Sequence, residues 1–225
     1  MAKKTVYQPL LKQIGVKCDI VDYEYFPGFA LSQKQKCIKS LHKAAETEGI
    51  SNILEVSSKS TEMIGVSLSA FNLCLNIQGK SYSVEQLFQA SKVFEKGGPF
   101  LDLLDVSSRE AKTDERIKTS GNIIAFRLLN NDFPIEPKTF FYDWLYTSAL
   151  LQNKDLLKRV LLYNAFTDIE FNEKKSLNCQ AYSLALFCSI CKNTKEFADK
   201  EMISKEEFFK LCQDEYNSRW QMMNE

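Results

Sequence analysis

Apolar positions change their spacing several times along this chain, and each change marks an element. Residues 1–30 carry an aromatic group (Tyr23, Tyr25, Phe26, Phe29) without helical spacing, which predicts an extended arm or strand with a Pro27-Gly28 turn. From Ser32, a candidate N-cap, a helix is expected to about Ala45, with Ile38, Leu41 and Ala45 on one side. Lys36, Lys39 and Lys43 share another side of it. Residues 51–78 look extended in two pieces. Ile53, Leu54 and Val56 precede the polar Ser57-Ser58-Lys59-Ser60, and Leu73, Leu75 and Ile77 then alternate strictly. Gly79 turns the chain, and Ser83 with Gln86 forms a capping box that opens a helix expected to reach about Phe94. Ser107 with Glu110 and Ser204 with Glu207 repeat the device before two later helices. Residues 137–163 and 179–192 read as strongly helical. The pattern predicts an α+β fold, helix-rich with a few short strands. Residues 1–50 form an N-terminal extension whose lysine-rich helix packs on one domain, residues 51–225.

Composition then narrows the function. The chain has 225 residues, with 29 basic side chains against 29 acidic ones. Zero net charge excludes a protein that coats nucleic acid by bulk attraction. The charge is unevenly spread, however: through residue 45 there are eight lysines against three acids. A single histidine, His42, excludes two-histidine zinc sites, and it stands on the lysine-rich helix without a ligand-spaced partner. Cys188 and Cys191 lie inside the run Ala181–Cys191 and read as helix packing, with the seven cysteines reduced. That run is roughly half the length a membrane span needs. The first residues show no apolar leader. A cytoplasmic protein needing no metal or cofactor is expected. Gly79-Lys80-Ser81 resembles the end of a phosphate-binding loop, but Cys74 stands where the earlier glycine belongs, so a hairpin or strand-to-helix turn is expected.

The segment Gly79–Phe94 carries the best chemical signal. On its expected helix Glu85, Gln89 and Lys92 share a face at i, i+4, i+7, while Val84, Leu87, Phe88 and Ser91 turn toward the core. An acid, an amide and an amine so aligned could act as general acid/base, positioner and electrophile or anion clamp. A solvated helix flank would show the same spacing.

Gly79, Tyr82, Ser83, Glu85, Phe88, Gln89, Ala90 and Lys92 also resemble the pattern of the NADAR (YbiA-like) family. Leu68-Ser69-Ala70-Phe71 is similar to that family's F-S-N-F element, with alanine for asparagine. Asp168-Ile169-Glu170-Phe171 stands where the family has an aspartate followed by tryptophan, and Asn178 with Ala181 resembles its N-x-x-G helix entry. The extended N-terminus, the Ser57–Ser60 segment and the stretch 136–146 resemble the NADAR subgroup found as antitoxin beside DarT-type DNA ADP-ribosyltransferase toxins.

That resemblance implies hydrolysis of the N-glycosidic bond between ADP-ribose and guanine bases in DNA, with no cofactor. ADP-ribosylated DNA is then the substrate and the DarT-type toxin a partner. Glu85 and Asp168 are the candidate carboxylates for the oxocarbenium-like sugar, and Lys92 is the first candidate amine, ahead of Lys59, Lys34 and Lys36. Ser57, Ser58, Lys59 and Ser60, or Arg109 with Lys112, are expected to hold the pyrophosphate. Phe71, Tyr82 and Phe171 are expected to line the adenine or ribose pocket, with Gln89 and Asn178 also binding substrate. The lysine-rich helix offers a phosphate contact for the DNA. The alternative is a catalytically silent module that neutralises the toxin or binds ADP-ribose. Oligomeric state is left open.

Overall fold

The computed structural model describes residues 1–129, 131–174 and 176–224. In chain order its elements are β1 (Ala2–Pro9), β2 (Val16–Tyr23), α1 (Leu31–Thr47), β3 (Ile53–Glu55), α2 (Met63–Ser67), β4 (Cys74–Ile77) and β5 (Lys80–Ser83). Then come α3 (Val84–Ala90), β6 (Lys92–Phe94), α4 (Ser108–Thr113), α5 (Glu115–Thr119), β7 (Ile123–Leu128) and β8 (Asn131–Phe133). The chain continues through α6 (Phe140–Gln152), α7 (Lys154–Val160), β9 (Ala165–Thr167), α8 (Gln180–Asn193) and α9 (Lys205–Asn224). The fold is mixed α+β with several small sheets.

The largest sheet has the order β2-β1-β9-β3. β1 and β2 form an antiparallel pair from Ala2↔Tyr23 to Pro9↔Val16, and β9 runs parallel to β3 with Leu54 opposite Phe166. The first 50 residues, expected to lie on the domain as an extension, supply two of its four strands. The expected face of α1 is buried there: Ile38, Leu41 and Ala45 pack with Val6, Val21 and Tyr23. Its start differs from expectation. Ala30 is the N-cap and has no side-chain oxygen to cap with; its carbonyl accepts from the N–H groups of Gln33 and Lys34.

The larger core surrounds α6 and α8, both buried along most of their length, with Tyr146 and Tyr182 almost inaccessible. Cys188 packs inside this core and all seven cysteines are free. No helix among the described residues is long and apolar enough to cross a membrane. The second sheet is the β4–β5 hairpin. Gln78 and Gly79 at its tip both have positive φ, as a two-residue turn matched to strand twist requires.

The third sheet, β6-β7-β8, corrects one expectation directly. The helix opened by Ser83 ends at Ala90 rather than near Phe94, and Lys92 begins a strand opposite Phe126. The Ser91 carbonyl accepts from Arg127 N at 2.7 Å, so pairing with β7 takes the backbone group that another helical turn would use. Gly98 follows with φ +86, and a Cβ there would stand 2.4 Å from the Lys92 carbonyl oxygen. Only glycine lets the chain fold back so tightly.

Candidate active site

The capping box fixes where the site begins. Ser83 Oγ accepts from Gln86 N at 3.1 Å, and the Gln86 side chain returns to Ser83 N at 3.0 Å. Ser83 Oγ also meets Ser108 Oγ at 2.7 Å, which ties α3 to α4. The first turn of α3 then carries Glu85, only 5% exposed, whose N–H donates to Ala70 O at 2.9 Å. Gln89 Nε2 donates to Glu85 Oε1 at 2.7 Å, and Lys92 Nζ donates to Gln89 Oε1 at 2.6 Å. Acid, amide and amine are thus bonded in series, though not along one helix: Lys92 reaches back to Gln89 from β6. Burial lowers the Lys92 amine to about 8, with Glu85 opposing that shift and Lys112 adding to it. The Lys92 ammonium lies 4.6 Å from the centre of the Phe88 ring. From α4, Lys112 Nζ stands 3.5 Å from Glu85 Oε1 and 5.0 Å from the centre of the Phe71 ring.

The facing wall is the loop after β9. Asp168 is 6% exposed, and its Oδ1 accepts from the N–H groups of Glu170 and Phe171, both at 3.0 Å. Lys4 of β1 donates to the carbonyls of Ile169 and Phe171, pinning the loop from outside. Behind Asp168 lies Glu55 of β3, 1% exposed. Burial, then the Asp168 charge, pushes Glu55 up to about 8, and burial pushes Asp168 up to about 6. Gln180 spans the two walls, accepting from Ala70 N at 2.7 Å and donating to Val56 O at 2.6 Å. Asn178 Oδ1 is buried without a hydrogen-bond partner among the described residues.

Between the walls opens a cleft of about 840 Å³ with Glu85, Gln89, Lys92, Tyr142, Asp168 and Asn178 in its lining. Its charge is mixed: Lys92, Lys112, Lys138 and Lys174 against Glu85, Glu136, Asp168, Glu170 and Glu173. Among the described residues no cluster of histidine, cysteine, aspartate or glutamate could hold a metal ion. A family model described as DarT1-associated NADAR antitoxin matches residues 2–221, nearly the whole chain. The chain belongs to that family. No curated protein matches it.

In this antitoxin-family chain the cleft gathers Glu85, Lys92, Asp168, Phe71, Gln89, Lys112, Phe171 and Asn178. The other candidates stand elsewhere. Ser57 is buried and donates to Glu55 Oε1 at 2.6 Å, while buried Ser60 accepts from Glu62 N at 3.2 Å, so the polar turn spends these hydroxyls internally. Ser58 is exposed and Lys59 half-buried, and neither is in the cleft lining. Tyr82 packs against the main core, and Arg109 is exposed on α4 outside the lining. Lys34 meets the rim indirectly, through a 2.9 Å ion pair with Glu170. Lys36 is exposed, 6.0 Å from the centre of the Phe26 ring. Sequence reasoning missed Glu55, Tyr142 and Gln180. Glu55 sits in an apolar-looking strand, Ile-Leu-Glu-Val, and an acid in such a run was the available signal.

Proposed function

We propose that this chain is an ADP-ribosyl hydrolase that removes ADP-ribose from guanine bases in DNA and so acts as antitoxin to a DNA ADP-ribosyltransferase. The observation that carries the reading is the buried series Glu85–Gln89–Lys92 facing Asp168 across a cleft. Family membership supports the antitoxin role.

The bond to be cut joins ribose C1 to the exocyclic nitrogen of guanine. Burial leaves part of Lys92 as free amine near neutral pH, the form that attacks carbon. The C1–O4′ bond breaks as the ring oxygen takes the proton of the exocyclic nitrogen, which leaves a C1=N imine to guanine. The Lys92 amine adds to C1 of that imine, the C1–N bond to guanine breaks with a proton delivered through Glu85, and the base leaves as its neutral amine. Water then adds to the Lys92 imine, releasing the ADP-ribose aldehyde and restoring the lysine. Gln89, bonded to both groups, keeps acid and amine in register. Asp168 offers its free oxygen to the sugar hydroxyls, and the orphaned Asn178 Oδ1 gains a donor from the ligand. The modified guanine enters from single-stranded or locally opened DNA. Lys112 beside half-exposed Phe71 gives a cation and a ring face for the pyrophosphate and an adjoining ring.

The test is incubation with a guanine-ADP-ribosylated oligonucleotide, followed by a denaturing gel. Return of the unmodified oligonucleotide is expected. An unchanged modified band would replace hydrolysis by a module that only binds the toxin or ADP-ribose.

A further inference from the structure

Glu55 is outside the cleft lining, yet its hydrogen bonds grip the residues on both sides of Asp168. Its carboxylate accepts from Thr167 Oγ1 at 2.6 Å and from Ile169 N at 2.9 Å, one position before Asp168 and one after it. A third bond, from Ser57 Oγ at 2.6 Å, reaches the polar turn, where Ser57 Oγ also accepts from Lys59 N at 3.2 Å. One side chain therefore ties the Asp168 loop to the polar turn. We propose that Glu55 is a positioning residue: by holding the chain on both sides of Asp168 it fixes the direction of that carboxyl group.

The surroundings fit that role. From α1, His42 Nε2 meets Thr167 Oγ1 at 2.9 Å, and burial lowers the imidazole to about 4, so it brings no positive charge toward Glu55. From β2, Tyr23 is raised to about 12 by burial and stays neutral. Lys4 of β1 acts on Asp168, whose carboxyl it pulls down, while Asp168 itself pushes Glu55 up. Two adjacent buried carboxyls do not both ionise easily, and among the described residues the cation that acts on the pair, Lys4, acts on Asp168. When Glu55 takes up a proton the Thr167 hydroxyl reverses, accepting from Glu55 and donating to His42 Nε2 across their 2.9 Å contact. Glutamine reproduces this arrangement, its NH2 replacing the acid proton.

The experiment compares full-length wild type, Glu55→Gln and Glu55→Ala by turnover of the modified oligonucleotide and by unfolding midpoint against pH without substrate. The activity arm rests on the hydrolase reading; the stability arm does not. Loosening Asp168 in Glu55→Ala is expected to lower kcat by about tenfold to a hundredfold with little change in KM, and Glu55→Gln to recover most of that loss. The folded protein holds the Glu55 proton more tightly than the unfolded chain does. Stability from this group therefore falls as pH rises from the free-carboxylate range through about 8, and Glu55→Gln flattens that fall. A folded Glu55→Ala with wild-type kcat, or a Glu55→Gln with the wild-type pH slope, overturns the proposal. If wild type cleaves nothing, the hydrolase reading fails and the slopes alone decide the role of Glu55.

Discussion

Two of the buried polar clusters in this fold differ in what closes them. In one, between α6, α8 and α9, Asp143 accepts from Ser183 Oγ at 2.5 Å and from Tyr216 OH at 3.2 Å. Tyr182 OH donates to Glu215 Oε1 at 2.5 Å, and the Arg219 guanidinium lies 3.8 Å from the Tyr182 ring centre while donating to Thr139 Oγ1. These groups find their partners within the fold. In the other, Glu85, Gln89 and Lys92 bond in series but face open space, with Asn178 Oδ1 unpaired among the described residues. Carboxylates and hydroxyls in a dry interior do not themselves mark a site. Unspent hydrogen-bonding capacity beside a cleft does.

The comparison breaks most sharply at Glu85. Glu85→Gln keeps the acceptor for Gln89 but carries no proton, so turnover should drop about 10³-fold while the unfolding midpoint stays near wild type. Full activity in that folded variant would remove Glu85 from the chemistry. Asp143→Ala should do the reverse. It strands the hydroxyls of Ser183 and Tyr216 in the interior and should cost about 3 kcal/mol of stability. Activity per folded molecule should hold, and chemical denaturation alongside a turnover assay reads both. A large loss of kcat without destabilisation would join the sealed cluster to the site.

Smaller effects sharpen the open cluster. If the free amine of Lys92 attacks carbon, turnover should climb about tenfold per unit well below pH 8 and level off above it. Borohydride added during turnover should trap an adduct that peptide mapping places on Lys92, whereas an adduct on Lys59 would move the nucleophile to the polar turn. The least effect belongs to the rim. Lys34→Ala and Lys36→Ala should each weaken binding of modified DNA about twofold to threefold and reduce its salt dependence by up to roughly one counterion. Unchanged salt slopes would remove α1 from the DNA path.

Much of this was legible in the chain because local signals and tertiary demands agree. The Ser83–Gln86 box, the alternation of Leu73, Leu75 and Ile77, and the buried side of α1 all appear as expected. Glu85 and Gln89 could be paired from spacing alone, since both lie within α3. Lys92 reached the same cluster by another route, as spacing cannot tell a third helical turn from a strand recruited by β7. Asp168 and Glu55 come together only because β9 pairs parallel to β3 across more than a hundred residues, which no local pattern encodes. The Ser57–Ser60 turn shows the same limit: spacing does not reveal that the Ser57 and Ser60 hydroxyls bond to Glu55 and to the local chain.

The most direct test of the central claim is a single-turnover assay on one guanine-ADP-ribosylated oligonucleotide, with wild type and Glu85→Gln compared at equal folded fraction. The account predicts unmodified oligonucleotide and free ADP-ribose from the wild type and almost none from the variant. A wild-type protein that binds the oligonucleotide yet releases no ADP-ribose would contradict it.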